Sequence, residues 1–291
     1  MELESTSPAA AADPALSATS LARERLLADW LRAQGSVLVG YSGGVDSAYL
    51  AAIAHRELGS DRMLAVIGVS ESYPREQWEA ARQLADGAGF PVLELRTLEM
   101  ADERYAANPV DRCYFCKSEL WSRPEPVARE RGFSVIVDGT NADDLGDHRP
   151  GARAARERSV RSPLAELGFT KAEIRALSHR RGLPTWARPS SPCLSSRLPY
   201  GTRVTAERLA VVERAESALR ALGVNGNLRV RYHGDMARVE LDPSELDTWL
   251  EPAASVRLAA AVRAAGFTRV LIDLRGFRSG SLNVLSGVVV E

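Results

Sequence analysis

Three cysteines are the residues of this sequence with the clearest potential for chemistry. Cys113 and Cys116 form a C-x-x-C pair, whereas Cys193 lies far downstream in "SSPCLSSRLPYG". A structural zinc site needs four ligands, and the chain contains only four histidines. Three thiolates with one open position instead favour an iron–sulfur cluster whose fourth iron can bind an external ligand. Inert thiols and a redox disulfide are the alternatives.

A glycine-rich turn in "VLVGYSGGVDS" is the second group of residues that could do chemistry. It lies between a short β-branched run and the start of a helical pattern. Backbone N–H groups at such a turn suit a phosphate group, and the helix N-terminus adds partial positive charge. The stretch fits neither G-x-x-x-x-G-K-[ST] nor G-x-G-x-x-G, which excludes the loops of GTPases and of dinucleotide-binding folds. An ordinary tight turn is the alternative.

An acidic segment, "DGTNADD" at residues 138–144, is the third such group. It follows a predicted strand and is therefore expected at the same sheet edge as the glycine-rich turn. Its carboxylates, including that of Asp144, could hold Mg²⁺ or position a substrate. Turn formation without any further function is the alternative for each residue taken alone.

Alternating strands and helices must position these three groups. Four predicted strands, "SVLVGY", "RMLAVIGVS", "PVLELRT" and "FSVIVDGTN", are separated by helical patterns. A helical stretch, "KSELWSRPEPVARERG", is predicted after the C-x-x-C, interrupted by Pro124 and Pro126. This alternation predicts an α/β fold with a doubly wound parallel sheet, whose ligands bind at the carboxyl ends of the strands.

The second half of the chain has a different character. Thr170 and Glu173 form a predicted capping box, and a proline-rich loop that carries Cys193 follows. Beyond it the pattern predicts a compact α+β unit, with helices at 205–222 and 252–265 and strands at 228–232, 236–241 and 268–274. We therefore expect a disordered tail (1–18), a nucleotide-binding domain that includes the Cys193 loop (19–200), and a smaller domain for substrate binding and oligomerisation (201–291).

Composition restricts the class of protein. The 291 residues are 45% hydrophobic and 26% charged, with a net charge of −1. No apolar run approaches the length of a membrane span, and the N-terminus lacks the features of a signal peptide. Unpaired cysteines then predict a reducing cytoplasm, and the near-neutral charge argues against a nucleic-acid partner. Only two of the 37 basic residues are lysines, Lys117 and Lys171.

Several segments together resemble the LarE-type sulfur transferases of the ATP pyrophosphatase (PP-loop) superfamily. The pyrophosphate loop of that superfamily, S-G-G-x-D-S, is matched by Ser42, Gly43, Gly44, Asp46 and Ser47. The more specific matches are "DGTNADD", "RPGARAARERSVRSPLAELGFTKAEIR", "PCLSSRLPYGTRVT" and "DLRGFRSGSLN". The resemblance covers nearly everything after the N-terminal tail.

This resemblance implies a PP-loop fold and an enzyme that uses ATP and Mg²⁺. LarE-type enzymes adenylate a carboxylate of a small nucleotide, pyridinium-3,5-biscarboxylic acid mononucleotide, and release pyrophosphate. They then convert that carboxylate to a thiocarboxylate for the nickel-pincer nucleotide cofactor of lactate racemase and related enzymes. A small-molecule nucleotide substrate and a homo-oligomer are therefore expected.

The cysteines distinguish two branches of that family. In one branch a single cysteine, at the position of Cys193, gives up its sulfur and ends as dehydroalanine. The additional Cys113 and Cys116 resemble the other branch, in which three thiolates bind a [4Fe–4S] cluster and the open iron carries an extra sulfide from a donor. Cluster-based sulfur delivery is the expectation here, and sacrificial transfer from Cys193 is the alternative.

Further site residues follow from the resemblance. Lys117, Ser196 and Arg197 flank the cysteines in the family pattern and are expected to touch substrate. Arg229 and Arg231 fall on one face of a strand because alternate residues point the same way. We expect them to bind the anionic substrate rather than hold the fold, together with Glu216, Arg275 and Arg278. Solvated charges or structural ion pairs are the alternative for each residue.

Three rival functions remain open from the sequence. A tRNA thiolase of the same superfamily can also pair S-G-G-x-D-S with three cysteines, although the near-neutral charge argues against it. An amidotransferase that resembles NAD or GMP synthetase leaves the cysteines unexplained. A non-catalytic, zinc-stabilised nucleotide-binding scaffold would contain one zinc and no labile sulfide.

Overall fold

The computed structural model of this chain describes residues 17–146, 150–189 and 191–278. The tail predicted for residues 1–18 lies almost wholly outside these ranges, as does the "DLRGFRSGSLN" motif from Ser279 onward. None of the helices in the described ranges is long and apolar enough to cross a membrane.

A four-stranded parallel sheet forms the centre of the N-terminal region, in the order β3-β2-β1-β4. Its strands are β1 (Val37–Gly40), β2 (Met63–Val69), β3 (Val92–Arg96) and β4 (Val135–Val137). The pairings β1 with β2, β1 with β4 and β2 with β3 are all parallel, so the predicted α/β architecture is confirmed. The carboxyl ends of the strands therefore meet at one edge, where the predicted phosphate turn and "DGTNADD" both begin.

Helices cover both faces of this sheet, which explains why its strands are almost continuously hydrophobic. Val37 and Val39 pack into one core, while Leu38 between them packs into the other. The first face is covered by helices that include α1 (Ala18–Gln34), α2 (Val45–Leu58) and α3 (Arg75–Ala88). The remaining helices of this half are α4 (Glu103–Ala106), α5 (Arg112–Ser122), α6 (Pro124–Arg131), α7 (Pro150–Glu157), α8 (Pro163–Glu166) and α9 (Lys171–Arg180).

Helix α5 begins before the C-x-x-C pair, whereas the sequence pattern predicted a helix only after it. Cys113 and Cys116 consequently lie within the first turns of α5, three residues apart, on neighbouring positions of one helix face. The predicted interruption by prolines is a boundary between two helices, since Pro124 occupies the first position of α6. The C-x-x-C therefore belongs to a regular helix, which fixes the positions of the two cysteines relative to each other.

The C-terminal region forms a second, smaller sheet of three strands. It contains β5 (Leu228–His233), β6 (Met236–Leu241) and β7 (Arg269–Ile272), accompanied by α10 (Ala206–Ala221), α11 (Leu246–Leu250) and α12 (Pro252–Ala264). β5 and β6 pair antiparallel, and β6 and β7 pair parallel. The core of this region also includes Tyr105, Leu194 and Leu198, which precede the boundary expected at residue 200. The two regions thus share packing around the Cys193 loop.

Candidate active site

The turn between β1 and α2 has the local geometry of a phosphate-binding loop. Gly43 has a φ of 67°, and a Cβ at this position would lie 2.6 Å from the Cβ of Ala81, so only glycine fits without strain. Ser47 folds back into the turn and its Oγ accepts a hydrogen bond of 3.1 Å from the N–H of Ser42. Within the described part of the chain no side chain caps α2 at Gly44, which leaves first-turn N–H groups able to donate to an anion.

Asp46 lies in the first turn of α2, and its two carboxylate oxygens differ in their surroundings. Lys171, the first residue of α9, donates to Oδ2 through its Nζ. Oδ1 is buried and has no hydrogen-bond partner among the described residues. A buried carboxylate oxygen without a donor suits a hard cation, so Asp46 fits a Mg²⁺ ion that accompanies a bound nucleotide.

The carboxylates of "DGTNADD" take part in local turns. Asp138 accepts hydrogen bonds from the N–H and Oγ1 of Thr140, and from the Oγ of Ser162 at 2.7 Å. Asp143 accepts from the N–H of Lys171 at 2.8 Å, and Asp144 accepts from the N–H of Asn141 at 3.1 Å. These contacts fix the loop beside the nucleotide turn, and a nucleotide- or metal-binding role for Asp144 stays a prediction.

The loop after β2 connects the nucleotide turn to the Cys193 loop. The hydroxyl of Tyr73 donates to the carbonyl of Ser42 at 2.9 Å. One residue earlier, the carbonyl of Ser72 accepts the N–H of Leu194 at 2.8 Å. The proline-rich segment that carries Cys193 therefore folds back over the carboxyl edge of the sheet.

The three cysteines are free thiols close enough to influence one another electrostatically. Burial, and then the charge of Cys193, raises the pKa of the Cys113 thiol, even though the Cys113 residue as a whole is exposed. Burial, the carboxylate of Glu99 and Cys193 together raise the pKa of Cys116. The two elements that carry the thiols, α5 and the Cys193 loop, are also joined directly, because Arg112 on α5 donates to the carbonyl of Ser195.

Thiols are the donors that bind iron–sulfur clusters, and a cluster at these three cysteines stays a prediction. Among the described residues, no three His, Cys, Asp or Glu side chains are arranged to hold one ion. A [4Fe–4S] cluster separates its thiolates more widely, because each thiolate binds a different iron. The positive charges of Arg112 and Lys117 both favour the thiolate form of Cys113, which an assembled cluster requires.

Three buried arginines, Arg112, Arg197 and Arg231, bind backbone carbonyls of the Cys193 loop, and we call them the arginine clamp. Arg112 donates to the carbonyl of Ser195 at 2.9 Å, and Arg231 donates to that of Ser196 at 2.9 Å. Arg197 donates to the carbonyls of Pro192 and Cys193 at 2.6 and 3.1 Å. Such charge-assisted bonds are stronger than neutral ones, so the clamp fixes the position of Cys193.

Carboxylates hold two members of the arginine clamp in place. Arg197 forms two hydrogen bonds with Glu216, at 3.0 and 2.9 Å, and its residue is only 1% exposed. Arg231 pairs with Glu240 on the neighbouring strand β6 at 2.8 Å, and is 6% exposed. Structural ion pairs, the alternative considered in the sequence, therefore account for the observed contacts of Glu216, Arg197 and Arg231.

The remaining predicted substrate arginines divide into a buried and an exposed set. Arg229 is 4% exposed and lies 5.0 Å from the ring centroid of Phe277. Burial, followed by the charge of Arg197, lowers its pKa to about 10. Arg275 pairs with Asp273 at 3.2 Å but keeps 62% of its side chain exposed, and Arg278 is exposed. The exposed set is thus accessible to an anionic ligand.

Replacing Arg231 with alanine should destabilise the protein substantially. The change takes one arginine partner away from the buried carboxylate of Glu240 and removes one clamp contact, which together should cost about 3–5 kcal/mol. Arg275→Ala is the matched control, because its exposed pair should contribute less than about 1 kcal/mol. Chemical denaturation measures the free energy of unfolding of both variants. Unchanged stability of Arg231→Ala with a raised KM would support the substrate-binding role predicted from sequence.

Several site residues carry no signal in the sequence. Glu99 lies in a segment without a motif, and Arg112 adjoins the C-x-x-C but is one of many arginines in the chain, so only their burial beside the cysteines reveals them. Tyr105 is equally inconspicuous, and its hydroxyl forms a 2.6 Å hydrogen bond with that of Ser195 in the "PCLSSRLPYGTRVT" segment. Lys171 could have been recognised, since it is one of only two lysines in an arginine-rich chain.

The other lysine of the chain, Lys117, was singled out in the sequence. It is exposed on α5, and its Nζ lies 5.6 Å from the ring centroid of Trp121. Its charge also lowers the pKa of Cys113 against the effect of burial. The structure therefore places the charge of Lys117 near Cys113, and its contact with substrate stays a prediction.

Known proteins provide an independent comparison. The family model described as NAD synthase matches residues 23–109. An uncharacterized protein of Synechocystis is 45% identical over 84% of this chain and 91% of its own length. The pyridinium-3,5-bisthiocarboxylic acid mononucleotide synthase of Lactiplantibacillus plantarum is 35% identical over 91% of this chain and 95% of its own length. A glutamine-hydrolysing GMP synthase of Aeropyrum pernix is 30% identical over 64% of this chain and 40% of its own length.

Proposed function

Because this chain belongs to the LarE-type family of ATP-dependent sulfur transferases, we propose that it converts a carboxylate of pyridinium-3,5-biscarboxylic acid mononucleotide to a thiocarboxylate. The observation that carries the proposal is that the nucleotide turn and the Cys193 loop lie together at one edge of the sheet. The nucleotide turn and the Cys193 loop are both bonded to the loop after β2, through Tyr73 and Ser72. An adenylated substrate formed at the first site would thus arise beside the sulfur chemistry of the second.

The chain's own residues would activate the carboxylate through ATP. The N–H groups of the turn at Gly43 and Gly44 would hold the pyrophosphate as it leaves, and Mg²⁺ on Asp46 would neutralise its charge. An oxygen of the substrate carboxylate would form a bond to the α-phosphorus of ATP. The bond between the α-phosphorus and the oxygen that bridges it to the β-phosphate would break. A sulfur nucleophile then displaces AMP. Ser42, Ser47 and Asp144 complete the proposed nucleotide site.

We assign the cluster-based branch of sulfur delivery to this chain. Cys113, Cys116 and Cys193 would hold a [4Fe–4S] cluster, which supplies an open iron that can bind a sulfide. The support is the convergence of all three thiols and the positive charge that Arg112 and Lys117 place beside them. The arginine clamp would keep Cys193 in a fixed position for this role.

The substrate would approach from the exposed side of the cysteines. Lys117 is exposed on α5, in the turn after Cys113, so its charge can reach an anionic group. Ser196 is half-buried within the clamp, and Arg275 and Arg278 offer exposed positive charge from the C-terminal region. We propose that these four residues bind the phosphate and carboxylates of the nucleotide. Arg229, which is buried, would add further positive charge.

Product analysis tests the proposal directly. With ATP, Mg²⁺, sulfide and the dicarboxylate nucleotide, the anaerobically prepared protein should form AMP, pyrophosphate and a thiocarboxylate in equal amounts. Omitting the nucleotide should suppress pyrophosphate release, because adenylation needs its acceptor. Mass spectrometry of the product and a pyrophosphate assay measure both results. Formation of ADP and orthophosphate, or sulfur transfer to tRNA in preference to the nucleotide, would contradict the proposal.

A further inference from the structure

Glu99 is a buried carboxylate beside the cysteines for which the proposed reaction has no use. It lies in the short 3₁₀ turn after β3, at the same sheet edge as the nucleotide turn, and is 2% exposed. Its Oε1 accepts hydrogen bonds from the hydroxyls of Ser70 and Ser72, at 2.5 and 2.9 Å. These contacts fix the carboxylate in one orientation.

The second oxygen of Glu99 has no such contacts. Oε2 is buried and has no hydrogen-bond partner among the described residues. A buried carboxylate oxygen is costly to desolvate, and such groups in native proteins are normally paired, hydrogen-bonded or bound to a metal. The carboxylate is therefore held firmly by one oxygen while the other is left available for a ligand.

The surroundings of Glu99 identify that ligand as one associated with the cysteines. Ser72, which binds Oε1, also accepts the N–H of Leu194, the residue next to Cys193. The 3₁₀ turn that carries Glu99 packs against α5, the helix of Cys113 and Cys116, and against α4, which carries Tyr105. Tyr105 in turn is bonded to Ser195 on the other side of Cys193. Glu99 thus lies beside the elements that carry the three thiols.

A carboxylate in this position is unfavourable for the metal-free site. Its buried Oε2 is removed from water and gains no hydrogen bond from the described residues in return. Its presence becomes favourable once iron occupies the site, because a carboxylate oxygen is an ordinary iron ligand. The three thiolates leave one iron without a protein ligand, and Oε2 of Glu99 has no hydrogen-bond partner among the described residues.

We propose that Glu99 is a displaceable fourth protein ligand of the cluster, which binds the open iron until sulfide replaces it. This inference rests on the proposed cluster. The exchange changes no oxidation state: an iron–carboxylate bond breaks, an iron–sulfur bond forms, and the released carboxylate keeps its hydrogen bonds to Ser70 and Ser72. Glu99 would protect the resting cluster from loss of its open iron and would set the sulfide concentration at which the enzyme is loaded.

A sulfide titration of the reconstituted, full-length protein tests this role without measuring turnover. Glu99→Gln keeps the shape and the two serine contacts but removes the charged ligand, and Glu99→Ala removes the side chain. Sodium sulfide should bind both variants about tenfold more tightly than the wild type, since a competing ligand bound nine-tenths of the time lowers apparent affinity by that factor. Both variants should also lose one iron faster on mild oxidation, giving a three-iron signal in electron paramagnetic resonance.

The controls separate the two proposals. Glu94→Gln, an exposed carboxylate on β3, should leave sulfide affinity and iron loss unchanged. If the cluster assembles in all variants but neither sulfide affinity nor iron loss changes at Glu99, the Glu99 proposal is overturned and the cluster survives. If no variant and no wild-type sample binds a cluster, both proposals fail together. Should the Glu99 variants alone fail to assemble a cluster, the carboxylate is required to build the cluster rather than displaced from it by sulfide, and the Glu99 proposal is overturned.

Discussion

Asp46→Ala should reduce pyrophosphate release about 1,000-fold or more. The variant removes the only carboxylate in the first turn of α2, together with its buried Oδ1, which has no hydrogen-bond partner among the described residues. Loss of a metal ion that stabilises departing phosphate costs several kcal/mol, and about 4 kcal/mol corresponds to a factor of 1,000 in rate. A pyrophosphate assay with saturating ATP and nucleotide measures the effect.

The fold of the Asp46 variant should remain intact. Its ion pair with Lys171 is partly solvated, so the change should lower the free energy of unfolding by no more than about 1 kcal/mol. Asp61→Ala, at an exposed turn, serves as a control and should release pyrophosphate at the wild-type rate. Normal activity of Asp46→Ala in a correctly folded protein would show that the metal is held elsewhere.

Cysteine replacement should have the largest effect on sulfur transfer. Prepared without oxygen, the wild-type protein should be brown and contain about four irons and four sulfides per chain. Cys113→Ala, Cys116→Ala and Cys193→Ala should each lose most of this iron, since two thiolates hold a cluster poorly. With sulfide and ATP, only the wild type should form more than one thiocarboxylate per chain. Iron analysis and product mass spectrometry measure these outcomes.

The same experiment discriminates between the two branches of the family. In cluster-based transfer, the mass of Cys193 stays constant through many turnovers. In sacrificial transfer, Cys193 loses the mass of H₂S after one turnover, while the Cys113 and Cys116 variants remain active. Arg112→Lys offers an intermediate control, because it keeps positive charge beside the thiols but weakens the contact with Ser195.

Regular elements were predictable from this sequence because their signals are local. The hydrophobic runs of the four parallel strands predict the sheet, and the capping box at Thr170 and Glu173 is present as predicted. The beginning of α5 was not predictable, since "RCYFCK" has no helical periodicity of its own. Asn108, with a φ of 57°, turns the chain four residues before the helix begins at Arg112.

Tertiary partners of charged residues could not be predicted. Strand alternation places Arg229 and Arg231 on one face, but it does not reveal that Glu240 lies beside them on β6. For the same reason, the sequence could not reveal that Glu216 accepts hydrogen bonds from Arg197. The nucleotide turn is the opposite case, because its function depends on backbone shape that glycines encode directly.

The arginine clamp has a consequence for anyone who wishes to dissect this enzyme. A fragment ending at residue 200 would contain the nucleotide turn and all three cysteines. It would nevertheless lack Arg231 and Glu216, and it would expose Leu194 and Leu198 to water. Neither half of such a cut protein should hold iron alone. Mixing the two halves should restore iron binding, because the C-terminal half supplies the missing guanidinium and carboxylate groups in trans.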